Sequence, residues 1–449
     1  MTNWARSNPV RAATLAGWYQ QLCTVGGALI IIPFVIRALG SSDAGFWFSM
    51  QGFMALFMLM DFGFGVAISR QVAFSLTVDS TVDFVSPDLI RTDPGTAGIE
   101  GLYLASRSIF GRVFVCGAAL FLLIYHVVMP FTNLLQPHAG ETAMVWYLLG
   151  ASTALNFFTR LSQSFLDGLG YMFISRAIAG TYQLGTNLLI ILTLGAGMGL
   201  VGIMFVMLIS SALQLWAMHS AFRRVHPRPQ SYADVDRKQL IAQLWKVSVP
   251  IGIMGSGAFL VGMAQIPLLG TLLGPAAVTP LYIALKMSQA FNTAISQIAM
   301  SQLAFFTQDC ARGHWASARG RLRSTLLVGG LLQLASALCL WLVMPTVAGK
   351  WIGAGHYLEG IVLEFFVLNY VVTSATALPA QFVLASGRNP FATSTIVHGL
   401  LSVAGTIVLC PQIGLLGVPV ATLGAVLLTN AWLTPLETCR IWRYLSRPA

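Results

Sequence analysis

Apolar residues run through this chain in stretches too long for the core of a soluble domain. They predict spanning helices over 12–36, 45–69, 104–129, 143–166, 173–195, 199–222, 241–272, 276–307, 324–347, 358–384, 390–410 and 413–436. Polar and charged residues are confined to the connections between them. The runs lack period-two alternation and are longer than barrel strands, which excludes a β-barrel. The expected fold is an all-α polytopic membrane protein of about 12 transmembrane helices.

Composition agrees. The chain is 56% hydrophobic and 9% charged, with a mean hydropathy of +0.75, whereas soluble domains carry about 25% charged residues. The net charge of +10 does not point to nucleic acid, because it is spread over short connections. It is instead a topology signal. Of the 25 Lys and Arg, 22 fall on the side of the N-terminus, and only Arg37 and Lys350 fall on the other. Basic loops face the cytoplasm, so both termini are expected there. The first apolar run, to Ile36, is longer than a signal-peptide core and reads as a retained span. Six cysteines without a CxxC pair read as packing residues, and seven scattered histidines without HExxH predict no metal or cofactor.

Two connections stand out. The longest, 71–103, holds Ser86-Pro87-Asp88 and an Asp93-Pro94-Gly95 turn and reads as an irregular or interfacial loop. The other, 223–240, carries Pro227, Pro229 and five basic residues and divides the chain into six-span lobes over 1–222 and 241–449. The lobes echo one another. Gly199-Leu200-Val201-Gly202 matches Gly414-Leu415-Leu416-Gly417. Gln163-Ser164-Phe165-Leu166 matches Gln381-Phe382-Val383-Leu384. Leu39-Gly40 before Phe46-Trp47-Phe48 matches Leu273-Gly274 before Leu281-Tyr282-Ile283. The offsets are 215, 218 and 234, in the same order along both halves. Such parallel repeats are expected to be related by an axis along the membrane normal, with substrate bound between them.

Arg37-Ala38-Leu39-Gly40, then Gly45-Phe46-Trp47 and Leu59-Met60-Asp61-Phe62-Gly63-Phe64-Gly65, resembles the opening of bacterial polysaccharide (Wzx-type, O-antigen and capsule) flippases. These belong to the multidrug/oligosaccharidyl-lipid/polysaccharide exporter superfamily. The motif covers the first two spans; span count and layout extend the likeness along the chain. The resemblance implies two six-helix lobes around a central cavity. It also implies transport of an undecaprenyl-pyrophosphate-linked oligosaccharide across the bacterial inner membrane by alternating access. Membrane lipids and other polysaccharide-assembly proteins are the further partners expected. No ATP-binding motif or large outer catalytic loop is present, so an enzyme is not expected.

Lys286 is the one cation deep within an apolar run, where a charge is costly and marks function by default. Tyr282, Lys286, Gln289, Thr293, Ser296, Gln297 and Met300 recur at steps of three and four, a single helix face. That face is expected to line a cavity, with Lys286, Gln289, Thr293 and Gln297 meeting an anionic headgroup. The competing reading pairs Lys286 with Glu364 or Asp61. Arg160 offers a bidentate fork to phosphate or an anchor to lipid headgroups, and Gln21 shares a rough face of the first span with Arg11 and Trp18. Asp61 and Glu364 are candidates for ion coupling or for structuring helices. His398 reads as a core histidine. Pro250 with Gly252, Gly255 and Gly257 makes the seventh span the expected bending point. The alternative function is a cation-coupled multidrug or small-molecule exporter on the same superfold.

Overall fold

The computed structural model describes residues 9–75, 96–131, 141–226, 237–311, 314–353, 355–385 and 389–445. The proposed irregular loop after residue 75 and the Pro-rich centre of the 223–240 connection lie outside them. Among the described residues the chain is almost entirely helical and has no strand. The helices are α1 (Pro9–Gln21), α2 (Gly27–Leu59), α3 (Phe64–Ser75), α4 (Thr96–Leu123), α5 (Thr142–Gly168), α6 (Met172–Gly195), α7 (Gly199–Val225), α8 (Arg237–Val261), α9 (Gln265–Leu273), α10 (Val278–Ala311), α11 (Trp315–Val343), α12 (Gly360–Ala385), α13 (Phe391–Ile413), α14 (Gly417–Leu428) and α15 (Asn430–Leu445).

Eight helical stretches among the described residues are long and apolar enough to cross a membrane. One of them, Ala12–Phe57, has 46 residues. A straight helix of that length would reach about 69 Å, against a hydrocarbon core of about 30 Å. It is broken at Gly40, where φ is 78°. The 53-residue stretch Phe391–Arg443 is likewise broken at Gly414, where φ is 63°.

The exposed faces are apolar, as lipid demands. Along α11, Leu327, Leu331, Leu334 and Leu338 are all exposed, at spacings of four, three and four. The opposite face buries Thr325, Gly329, Gln333 and Ser336. This inverts the pattern of a soluble amphipathic helix.

Contacts divide the chain into two compact units. The first comprises Met1–Ala38 and Phe53–Gly255, the second Leu39–Gly52 and Ser256–Ala449. The core of the first gathers Phe64, Ile68, Phe110, Phe165, Phe222 and Leu244 from α3, α4, α5, α7 and α8. The core of the second gathers Phe306, Leu322, Phe382, Phe391 and Ile441 from α10, α11, α12, α13 and α15. In the first unit α5 packs on α7, and in the second α13 packs on α14.

The echoes seen in sequence have matching backbones. Gly40 (φ 78°, ψ 173°) and Gly274 (φ 87°, ψ 164°) adopt the same extended left-handed conformation, which only glycine adopts readily. Gly199 and Gly414 match at φ 60° and 63°. A further echo went unread: Val128-Met129-Pro130 and Val343-Met344-Pro345, again 215 residues apart. Each adjoins a wide π turn, Ile124–Val128 after α4 and Met344–Ala348 after α11. The seventh span departs from expectation in where it breaks. Helix α8 continues through Pro250 and ends before 262–264, where Gln265 Nε2 donates to the Leu260 carbonyl at 3.0 Å. The nearby glycines serve close approach instead: a Cβ on Gly252 would fall 2.7 Å from Phe62, and one on Gly257 2.4 Å from the Thr395 carbonyl oxygen.

Candidate functional site

The candidate residues fall into both units. Lys286, Gln289, Thr293, Gln297 and Glu364 belong to the second, Gln21, Asp61 and Arg160 to the first.

In the second unit α10 carries the polar face as one helix. Lys286 is half-buried and Gln289 exposed, with Thr293 and Gln297 half-buried further along. Lys286 Nζ donates to Gln289 Oε1 at 3.3 Å and stands 5.3 Å from the centroid of the Tyr282 ring, within range of a cation–π attraction. Among the described residues no carboxylate forms an ion pair with Lys286. Glu364, on α12, is exposed and does not reach it. An ammonium has three donors, and among the described residues only one is engaged, by Gln289 on its own helix. The arrangement therefore presents a cation with donors free for an anionic ligand.

The floor beneath this cation comes from the motif that carries the family resemblance. Tyr282, 4% exposed, stacks on Phe48 at 4.0 Å and 11°. Thr279 Oγ1 donates to the Ser41 carbonyl at 3.0 Å. Gly45 lies so close to Pro275 that a Cβ would fall 1.8 Å from its carbonyl oxygen. These contacts are reciprocal under the 234-residue offset. Position 41 meets 279 while 45, its counterpart, meets 275, and the counterparts 48 and 282 stack on each other. This is the pattern of an isologous two-fold contact, made here by two segments of one chain. Sequence reasoning set Phe46-Trp47-Phe48 against Leu281-Tyr282-Ile283, one residue out of the 234 register fixed by Leu39-Gly40 and Leu273-Gly274, and did not infer that Phe48 and Tyr282 touch. It also missed Asn292, whose Oδ1 accepts from Ser374 Oγ on α12 at 2.9 Å.

In the first unit the Leu59–Gly65 motif makes a helix break. Phe62 (φ 44°) and Gly63 (φ 74°) are left-handed, and the Gly65 N–H donates to Asp61 Oδ1 at 3.1 Å as α3 begins. Asp61 thus closes the orphan donors of a new helix. Gly65 leaves room for its carboxylate, since a Cβ there would lie 3.0 Å from both Asp61 Oδ2 and Ser164 Oγ. Arg160, exposed on α5, lies close enough for its charge to act on the Asp61 carboxyl. Gln21 precedes a π turn at Leu22–Gly26. There Asn187 Nδ2 donates to the Cys23 carbonyl at 3.2 Å and Gln183 holds Asn187 Oδ1 at 3.0 Å.

One buried charge pair of the first unit was not anticipated. Glu100, 1% exposed, accepts from both terminal nitrogens of Arg223 at 2.8 and 3.2 Å. The guanidinium lies 4.6 Å over the Tyr103 ring. Among the described residues no group of three His, Cys, Asp or Glu side chains could hold a metal ion.

No protein-family model matches the chain, and no curated protein matches it. Solved structures do match. An inward-facing multidrug resistance MATE family transporter of the MOP superfamily aligns with a TM-score of 0.69 at 13% identity, covering 95% of each chain. The lipid II flippase MurJ, in an inward closed conformation, aligns with a TM-score of 0.68 at 12% identity, covering 97% of this chain and 89% of its own. A MOP superfamily transporter from Pyrococcus furiosus, described as having a binding pocket of reverse polarity, aligns with a TM-score of 0.60 at 15% identity, covering 98% and 96%. Along nearly its whole length the chain has the all-helical, multi-pass membrane fold of the MATE transporters and MurJ.

Proposed function

We propose that the chain is a flippase that moves an undecaprenyl-pyrophosphate-linked oligosaccharide across the bacterial inner membrane, for polysaccharide biosynthesis and export. It works by alternating access between two six-helix lobes around a central cavity, with twelve crossings and both termini in the cytoplasm. Lys286 carries this reading: a half-buried cation in an apolar helix, bonded to Gln289 and backed by the Tyr282–Phe48 stack, with no carboxylate partner among the described residues. It supplies the counter-charge for the pyrophosphate. Gln289, Thr293 and Gln297 line the path of the sugars, and Arg160 and Gln21 meet the headgroup from the first unit. Asp61 structures the helix break, and Glu364 is the candidate for ion coupling. That MurJ, a lipid II flippase, shares the fold supports a lipid-linked substrate. Other polysaccharide-assembly proteins are the proposed partners.

The second reading, a cation-coupled exporter, draws support from the equally extensive likeness to a multidrug MATE transporter. An unpaired ammonium disfavours cationic drugs, so the flippase is preferred. Deleting the gene is expected to abolish surface polysaccharide and to accumulate the lipid-linked intermediate. Lys286→Ala then fails to complement, while Lys286→Arg restores part of the function. Full complementation by Lys286→Ala removes Lys286 as the counter-charge. Drug–proton exchange in vesicles, without movement of lipid-linked sugar, establishes the exporter instead.

A further inference from the structure

Within the first unit, α2, α4 and α5 enclose a cavity of about 230 Å³. Gly117 and Gly150 let Met60 and Phe121 lie against the helix backbones, and the small Ala118, Ala151 and Ala154 leave the space between them open. The cavity offers water almost nothing. Its two hydroxyl side chains, Thr153 and Tyr147, are already engaged: Thr153 Oγ1 donates to the Leu149 carbonyl at 2.7 Å, and the Tyr147 hydroxyl meets His126 Nε2 at 3.2 Å. A buried water needs about two to four polar partners, so an apolar cavity of this kind stays dry. Its mouth lies among Leu122 and Tyr147, each 46% exposed. In a bilayer the medium at such a mouth is hydrocarbon, and a lipid chain is what can fill the space.

Length and charge say which chain. The lining runs along α4 from Val113 to Leu122 and along α5 from Tyr147 to Phe157, about 15 Å at the rise of an α-helix. One leaflet supplies half of a hydrocarbon core of about 30 Å, so the groove is as deep as one leaflet. A phospholipid acyl chain has that reach, whereas an undecaprenyl chain is several times longer. The two helices run antiparallel: Phe110 meets Phe157 at 4.8 Å between ring centroids, and Phe121 meets Trp146 at 4.3 Å. That register sets Arg107 level with Arg160, and Arg112 adjoins the first lining residue of α4. All three arginines are exposed, and they stand at one end of the groove. The charge of Arg160 acts on Asp61, but among the described residues no carboxylate pairs with Arg107 or Arg112. Arg112 also heads a stripe of exposed residues, Val115, Ala119 and Leu122, at steps of three, four and three. An arginine so placed extends along apolar surface toward the headgroups, and its fork fits a phosphate. Towards the other end, 123–131 and 141–147 contain no Lys or Arg. On the topology proposed above, the arginine end is cytoplasmic, the side on which basic pockets between helices suit anionic lipids.

We propose that this groove is a binding site for an anionic phospholipid: one acyl chain fills the cavity between α2, α4 and α5, and Arg107 and Arg112 hold the phosphate. The site does not depend on what the protein transports. The test is made on the full chain in phosphatidylcholine nanodiscs, doped with phosphatidylglycerol that carries a photoreactive diazirine midway along one chain. Phosphatidylcholine with the same chain is the parallel probe. After irradiation, labelled peptides are mapped. The phosphatidylglycerol probe is expected to label 113–122 and 147–157 several-fold more than the phosphatidylcholine probe does. That labelling is expected to fall several-fold in the double variant Arg107→Gln with Arg112→Gln, and in Ala118→Phe, whose ring occupies the cavity. It is expected to be unchanged in Ala119→Phe, which adds the same ring to the exposed stripe. Should Ala118→Phe not fold, Ala154→Leu fills the same space. Equal labelling by the two probes, or labelling that survives filling of the cavity, overturns the proposal. So does displacement of the probe by undecaprenyl phosphate more readily than by unlabelled phosphatidylglycerol, which gives the groove to a prenyl chain instead.

Discussion

Arg223→Met isolates the Glu100 carboxylate inside the first unit. The Glu100 side chain keeps 2% of its exposure and that of Arg223 17%, so water can do little to replace the lost partner. Breaking a buried pair from one side costs about 3–5 kcal/mol. The low end, about 3 kcal/mol, applies here, because the arginine already meets some solvent and His226 Nε2 stands 3.8 Å from the same carboxylate. Glu100→Gln keeps an acceptor for one guanidinium nitrogen and is expected to cost less, about 1.5–3 kcal/mol, the worth of a charge-assisted hydrogen bond. Replacing both, as Glu100→Leu with Arg223→Met, removes the uncompensated charge and is expected to recover most of the loss. With Glu100→Leu alone as the second single variant, the cycle is expected to give a coupling of about 2 kcal/mol. Equilibrium unfolding in mixed detergent micelles reads all five proteins, with retention of the monodisperse peak on gel filtration as a check. Arg223→Met as stable as the parent, or a double variant no better than Arg223→Met, refutes the assignment of this pair as a desolvated clamp between α4 and α7.

Two further substitutions test other parts of the fold. Gly45→Ala places a Cβ 1.8 Å from the Pro275 carbonyl oxygen and is expected to destabilise by about 1–3 kcal/mol through overpacking, read as a lowered thermal midpoint; Gly26→Ala, where a Cβ meets nothing within 4 Å, serves as the control. At the α10–α11 turn, hydrogen bonds from Ser317 and then Arg321 hold the Asp309 carboxyl below the usual carboxylate range. A lowered folded-state pKa contributes stability that is present above the unfolded value, about 3.9, and is lost as pH falls through the folded one. Asp309→Asn is therefore expected to lower the thermal midpoint slightly at pH 7, with the difference from the parent closing below about pH 4; a difference independent of pH counts against the ion pair.

The helical, membrane-spanning character was legible because lipid imposes it locally: every stretch must be apolar and must satisfy its own backbone. The Lys286 face was legible for a similar reason, since steps of three and four on α10 are a property of one short segment. What stayed hidden depends on residues far apart in sequence. Asn187 reaches the Cys23 carbonyl across 164 residues, and Glu100 meets Arg223 across 123. Neither leaves a periodic trace. Glu100 instead fell in the 71–103 connection, read as an irregular or interfacial loop, and Arg223 among the five basic residues of the 223–240 connection. The break at 262–264 was displaced from Pro250 because Gln265 supplies a hydrogen bond to the freed Leu260 carbonyl, whereas the helix tolerates the proline without breaking. Reading the offset of 234 as a contact rather than a resemblance was possible from sequence and would have placed Phe48 under Tyr282.

That offset has one more member. The counterpart of Lys286 is Gly52, so a pair of segments that mirror each other at 41, 45, 48, 275, 279 and 282 carries an ammonium on one arm and bare backbone on the other. Such a pair of arms is handed, so the headgroup proposed above would fit between them in one orientation only. It is also a matter of counting. Inserting one residue between Gly274 and Lys286 would swing the ammonium about 100° around α10 relative to the Gly274 turn without removing any side chain. The spacing from Gly274 to Lys286 therefore sets the position of the charge as much as the lysine itself does.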